Sequence, residues 1–275
     1  EEEFNKIYYD RNEYTIYDWI NPLVEGEGYA ENIKTYKADK FQIELLIGDP
    51  RLAFLEDFLA TDWNAIFSGQ PRSMMSTLVF RELLSRCKEY DIVFFDMGPS
   101  LGAINRSILL ACDYFITPIT PDIFNMLAME NIGKMLCDWQ EKFEDGLIAV
   151  GKRTDKYSDV KFKLRYLGYV AQMFSTRGGK AKMAEAYEKV ISQMPEKIKK
   201  NLSKLMDNSK NLEQFNLGSI KNFNSIIPIS QMAHKPIIDL EYQDGVLGAH
   251  FNRLKEYQEI LSVITKNIYD NVGGF

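Results

Sequence analysis

Residues 90–121 constrain this chain more than any other stretch. Ile92-Val93-Phe94-Phe95, entered through Asp91, is a short apolar run that ends at a single carboxylate, Asp96. β-Branched and aromatic residues in a run too short for a helix predict a strand buried on both faces. Met97-Gly98-Pro99-Ser100-Leu101-Gly102 cannot continue a sheet. Ala103 to Cys112 then resumes a helical apolar pattern, and Asp113 to Ile119 supplies a second buried strand. Strand, acidic tip, loop, helix and strand in that order make an α/β unit with its chemistry at the carboxyl end of the sheet. A carboxylate at that tip suits Mg²⁺, a hard cation that keeps most of its waters while it bridges phosphates. An Asp at a strand end also caps the following helix in many proteins, and the local pattern leaves both readings standing.

The rest of the composition sets bounds. A chain of 275 residues, 45% hydrophobic and 26% charged, has the make-up of an ordinary globular protein with ample material for a core. No apolar stretch approaches the ~20 residues that span a bilayer. Glu1-Glu2-Glu3 is the opposite of a basic secretory leader. Cys87, Cys112 and Cys137 are widely spaced in mostly apolar surroundings, which predicts free thiols and a cytoplasmic protein. With only His234 and His250 and no Cys/His spacing, a zinc site is not expected. The net charge of −6 is unevenly spread, for residues 151–210 hold 15 Lys or Arg against 6 Asp or Glu. A cationic segment in an acidic protein is a candidate footprint for a polyanion, or a solvated surface that keeps the chain soluble.

In chain order, Thr15 to Leu23 predicts a short helix stopped near Pro22, and Phe41 to Ile47 a strand closed by Gly48-Asp49-Pro50. Leu52, Leu55, Phe58 and Leu59 recur at helical spacing, and Ser73 to Tyr90 reads as one longer helix. Thr120-Pro121-Asp122 opens a helix from Ile123 to Phe143, and Gly151 to Lys161 reads as a loop. Tyr166 to Phe174 has strand character, Ser175 to Lys180 is a turn, and Ala181 to Ser192 is a helix. A second helix is expected to restart at Pro195 and run to Met206, and Phe223 to Ile229 to form a last strand broken by Pro228. Gly248 to Ile268 closes the chain as an amphipathic helix. This alternation predicts an α/β fold with a mainly parallel sheet sandwiched between helices.

The stretch Tyr90-Asp91-Ile92-Val93-Phe94-Phe95-Asp96-Met97-Gly98-Pro99-Ser100-Leu101-Gly102-Ala103-Ile104-Asn105-Arg106, continuing through Ala111 to Asp122, resembles the ParA/MinD/Soj family of deviant P-loop ATPases. It is similar to a branch whose strand-end motif reads Asp-x-Gly-Pro. Leu45 to Leu52, Leu167 to Arg177, Ile227 to Ile237 and Gly248-Ala249-His250 resemble further family segments in the same order. The resemblance implies a Rossmann-like, three-layer P-loop NTPase architecture over a single domain, residues 1–275, with the basic segment 151–210 inside it. The family's phosphate-binding motif, Lys-Gly-Gly-x-Gly-Lys-Thr, is not in the chain. Gly178-Gly179-Lys180 does not supply it, because Phe174 stands where the first glycine belongs and Ala181 where a Ser or Thr belongs. In the family the strand before that motif lies beside the Asp96 strand. Leaving it out would strand buried backbone donors and acceptors at about 1–3 kcal/mol each, so these residues are expected to be a downstream portion of a longer polypeptide.

The resemblance also implies roles. Asp96 holds the water shell of Mg²⁺ and orients the attacking water, and Gly98, Pro99 and the loop to Gly102 sense the γ-phosphate. Thr117 and Pro118 line the same crevice, and Met173, Phe174, Pro228 and Ile229 match the edges where the family holds adenine. Arg177 matches an arginine that some members use on DNA, and Lys197, Lys199 and Lys200 are further candidate DNA contacts. ATP or ADP with Mg²⁺ is the implied cofactor. A homodimer formed on ATP binding and closed by P-loop lysines is the implied assembly, with an adaptor or effector protein, or non-specific DNA, reading it. A non-catalytic scaffold that keeps the fold and acts by protein contacts is the alternative.

Overall fold

The computed structural model describes residues 15–120, 122–173, 181–223 and 226–274. They fall into two compact units, one of residues 1–113 with 138–164 and one of residues 114–137 with 165–275.

The first unit is mainly helical. Helix α1 (Ile16–Glu25) starts at a capping box in which the Thr15 hydroxyl and the Asp18 carboxylate serve each other's main-chain N–H. Pro22 lies inside α1 and does not stop it there. The Pro22 carbonyl still accepts from Glu27 N at 2.9 Å, and the helix ends at Gly26 in the left-handed conformation. The expected strand Phe41–Ile47 is instead the second arm of a short antiparallel hairpin, β1 (Tyr36–Ala38) with β2 (Ile43–Leu45). A 3₁₀ turn (Pro50–Leu55) capped by Asp49 leads into α2 (Glu56–Ala65). The single helix expected over 73–90 is two, α3 (Pro71–Thr77) and α4 (Val79–Ser85), broken at Leu78. Ser76 and Thr77 hydroxyls donate to the carbonyls four residues back, a competition that bends helices. Helix α5 (Ala103–Ala111) completes the packing. Ile16, Trp19, Ile20, Leu23, Leu55, Leu59, Phe80 and Ile108 form one buried cluster, which removes the apolar stripe of each helix from water.

The second unit carries a parallel sheet in the order β3 (Tyr114–Ile119), β4 (Arg165–Met173), β5 (Asn216–Lys221). Strand β5 was not expected from the sequence. Its residues, Asn-Leu-Gly-Ser-Ile-Lys, have little strand propensity, and pairing with β4 is what makes them a strand. Both ladders shift register, and Gly168 (φ +146°) and Gly218 (φ +142°) sit at these irregularities. A Cβ on Gly168 would come within 2.5 Å of the Phe215 carbonyl oxygen. Helix α6 (Ile123–Gly151) follows β3 and runs past the expected end at Phe143. Asp122 caps it, accepting from Asn125 N at 2.8 Å, and this bond holds the carboxyl below its usual range. Helix α7 (Ala181–Leu202) runs through Pro195 without restarting. Met194, Ile198 and Leu202 bury one stripe across the proline, and that burial outweighs one lost main-chain bond. The described residues of the expected strand Phe223–Ile229 form no strand. Pro228 sits in the first turn of a helix, α8 (Ile227–Ala233), where its missing N–H costs nothing. The last helix, α9 (Ala249–Val272), lays Ile264 against Val170 and Leu217 of the sheet.

Candidate functional site

Residues 92–98 form neither helix nor strand and join no ladder among the described residues. The expected strand buried on both faces is therefore corrected to an irregular segment whose first residues are exposed and whose Phe95 and Met97 are partly covered. Phe95 and Met97 turn into the core of the first unit, with Phe95 edge-on to Phe80 at 5.9 Å. Ile92, Val93 and Phe94 are 44%, 39% and 76% exposed, and Asp96 is exposed as well. No described residue donates to the Asp96 carboxylate or pairs with it.

The helix after the loop is capped by a different carboxylate. Glu56, the first residue of α2, accepts from the main-chain N–H of Ala103 and, at 3.2 Å, from that of Ile104. Gly102 at the cap position offers no side chain. The capping explanation for Asp96 thus has no support in the geometry, because Glu56 fills that role. Asn105 on α5 donates through Nδ2 to Gly98 O at 2.7 Å and Ser100 O at 2.6 Å, folding the loop back on the helix. Glu56 and Asn105 were missed in the sequence. The one available signal was Asn105 itself, a buried amide in an otherwise apolar helical stretch. A side chain at Gly98 would meet nothing within 4 Å, so space does not demand a glycine there.

The other sequence-derived candidates belong to the second unit or lie outside the described residues. Thr117 and Pro118 stand near the carboxyl end of β3, and Met173 ends β4 beside Lys221 of β5. The Thr117 hydroxyl is engaged with the Tyr166 hydroxyl at 2.8 Å. Ile229 packs on the cluster of Phe223, Ile226 and Leu240, while Pro228 is exposed. Phe174 and Arg177 lie outside the described residues. Lys197, Lys199 and Lys200 are exposed near the end of α7, where cations also offset the helix dipole. Lys200 and Lys197 add to the effect of Lys134 in holding the Glu130 carboxyl low. A cavity of about 220 Å³ lies at the amino ends of β3 and β4, lined by Tyr114, Arg165 and Lys210, away from the carboxyl tips where α/β sheets take ligands.

Among the described residues no three His, Cys, Asp or Glu side chains cluster to hold a metal. A free carboxylate such as Asp96 fits Mg²⁺ all the same, because that ion takes one or two carboxylates and fills its shell with water and phosphate oxygens. No described helix is long and apolar enough to cross a membrane.

Comparison with known proteins gives the family. The ParA-family virulence plasmid protein pGP5-D of Chlamydia psittaci is 29% identical over 93 residues, 34% of this chain and 33% of that protein. The match thus spans a third of the relative's length. The crystal structure of protein DIP2308 from Corynebacterium diphtheriae superimposes with a TM-score of 0.69 at 23% identity, covering 99% of this chain and 83% of that one, and shows the same fold. The model of the AAA domain family AAA_31 matches residues 5–148, more than half of the sequence. The chain belongs to this AAA-domain family, a ParA/MinD-like group of P-loop ATPases.

Proposed function

We propose that the protein is an ATP-dependent dimerisation switch of the ParA type, slow in hydrolysis and read by a partner protein or DNA, in the cytoplasm. The observation that carries this reading is the Asp96 carboxylate, exposed and unengaged among the described residues at the end of an apolar segment. The ladder-free backbone of Ile92–Phe95 and the exposed side chains of Ile92, Val93 and Phe94 fit a neighbouring strand that brings the phosphate-binding loop to Asp96. Residues 1–275 would then form one ATPase domain together with that strand. Asp96 would hold Mg²⁺ through water, and Gly98 and Pro99 would follow the γ-phosphate. Thr117, Pro118, Met173, Phe174, Pro228 and Ile229 would face ATP or ADP. Bound Mg²⁺ supplies charge stabilisation to the transferred phosphoryl group. The branch with Asp-x-Gly-Pro is the one we favour.

The test is the full-length protein with Asp96→Ala. ATP turnover should fall by about 10²–10³-fold, the scale seen when one charge-stabilising group is removed, with thermal stability unchanged. Unchanged turnover would remove Asp96 from that role, and a full-length protein that turns over no ATP would favour the scaffold instead. For DNA, we read Arg177, Lys197, Lys199 and Lys200 as contacts. Reversing the three lysines should weaken binding and flatten its dependence on salt by roughly 0.9 in log–log slope per lost phosphate contact. An unaltered slope in a titration from low to high salt would return them to a solvated face.

A further inference from the structure

The loop after Asp96 is held from two sides by groups that the functional reading does not use. Asn105 is 7% exposed and commits its amide nitrogen to two main-chain carbonyls, Gly98 O at 2.7 Å and Ser100 O at 2.6 Å. That nitrogen has two hydrogens, so both are engaged. From the other side the Glu56 carboxylate accepts from Ala103 N and Ile104 N, bonds strengthened by its charge and by its place at a helix N-terminus. Gly102 has φ −79°, a value open to any residue, yet a Cβ there would collide with Glu56 Oε1. A side chain at residue 102 would therefore have to displace the Glu56 carboxylate from its present place.

We propose that Glu56 and Asn105 are positioning residues that clamp the Gly98–Gly102 loop and tie its conformation to helix α2. The catalytic consequence rests on the ATPase reading; the clamp itself does not. Gly98 or Ser100 can move only when Asn105 lets go of a carbonyl. The start of α5 can move only when Glu56 leaves it or α2 follows. A change of the loop is therefore a change of α2 as well.

The experiment uses the full-length protein with and without ATP and Mg²⁺. Hydrogen exchange is followed over residues 98–106 in Glu56→Ala, Glu56→Gln, Gly102→Ala, Asn105→Asp and the Glu56→Ala/Gly102→Ala double variant. Glu56→Ala and Gly102→Ala should each speed exchange of the Ala103 and Ile104 amides by about ten-fold or more, the scale of a lost charge-assisted hydrogen bond. The double variant should be no faster than either single one, because both remove the same contact. Glu56→Gln keeps an acceptor and should restore part of the protection. In turnover, Asn105→Asp should lower kcat by about ten-fold with KM for ATP little changed, as a misplaced catalytic loop does. Additive single effects, or exchange unchanged over 98–106, overturn the clamp. So does protection lost across the whole chain, which would mark the two residues as general stabilisers. Absence of ATP turnover in the full-length protein would remove the ATPase reading, and the exchange results would still decide the clamp.

Discussion

Two apolar segments that look alike in sequence end differently in the structure. Tyr166-Leu167-Gly168-Tyr169-Val170 lies in β4, with a strand on either side and its side chains buried. Ile92-Val93-Phe94-Phe95 is as apolar, yet joins no ladder among the described residues and leaves Phe94 76% exposed. The contrast shows that an apolar β-branched and aromatic run is not by itself a strand, which needs a neighbour to satisfy its N–H and C=O groups. The first unit packs Phe95 against Phe80 and leaves Ile92, Val93 and Phe94 exposed.

Truncations test that contrast most directly. Leu217→Ala, in a fully buried position between β5 and α9, should cost about 2–5 kcal/mol, measured by urea unfolding. Phe94→Ala in the 275-residue chain should cost less than about 0.5 kcal/mol, as exposed positions do. In the longer polypeptide that we propose, Phe94→Ala should instead cost about 3–5 kcal/mol, the price of a buried Phe. Equal small costs in both would break the idea that a strand covers this face.

Gly168→Ala sharpens the β4 side. Its φ of +146° and the nearby Phe215 carbonyl leave no room for a methyl group, so the variant should lose about 1–3 kcal/mol in the same assay. Gly98→Ala, where space is open, should lose far less.

The smallest expected effect is on acid stability. Burial alone would raise the Asp49 carboxyl, but bonds from the Arg51 side chain and main chain outweigh it and hold the group below its ordinary value. A depressed carboxyl stabilises the fold above its unfolded value, near pH 3.9, and loses that contribution as pH falls through the folded value. Asp49→Asn should therefore narrow the gap in Tm between pH 6 and pH 2.5. An unaltered gap would mean that Arg51 contributes nothing through this carboxylate.

Part of the local structure around the candidate site was legible in the sequence. The glycine-rich loop, the helix from Ala103 and the Asp122 start of α6 follow from neighbouring residues, whereas the segment ending at Asp96 joins no ladder among the described residues. Glu56 and Asn105 were not legible in the same way. The bond from Ala103 to Glu56 joins residues 47 apart, and no propensity at Glu56 announces its partner. Errors at Pro22, Pro195 and Pro228 share one cause. A proline was read as a break, while the burial of Leu23, of Met194 and Ile198, and the helix start at Ile227 decided otherwise.

The sequence by itself determined the α/β class, the placing of β3 and β4, and the family, because periodicity and short motifs are written within a few residues. Only the tertiary structure decided that a polar stretch becomes β5, that Ile92–Phe95 joins no ladder among the described residues, and that Glu56 caps α5 in place of Asp96. Each of those outcomes depends on which backbone groups meet across long separations, and hydrogen bonds of that kind carry no trace in local composition.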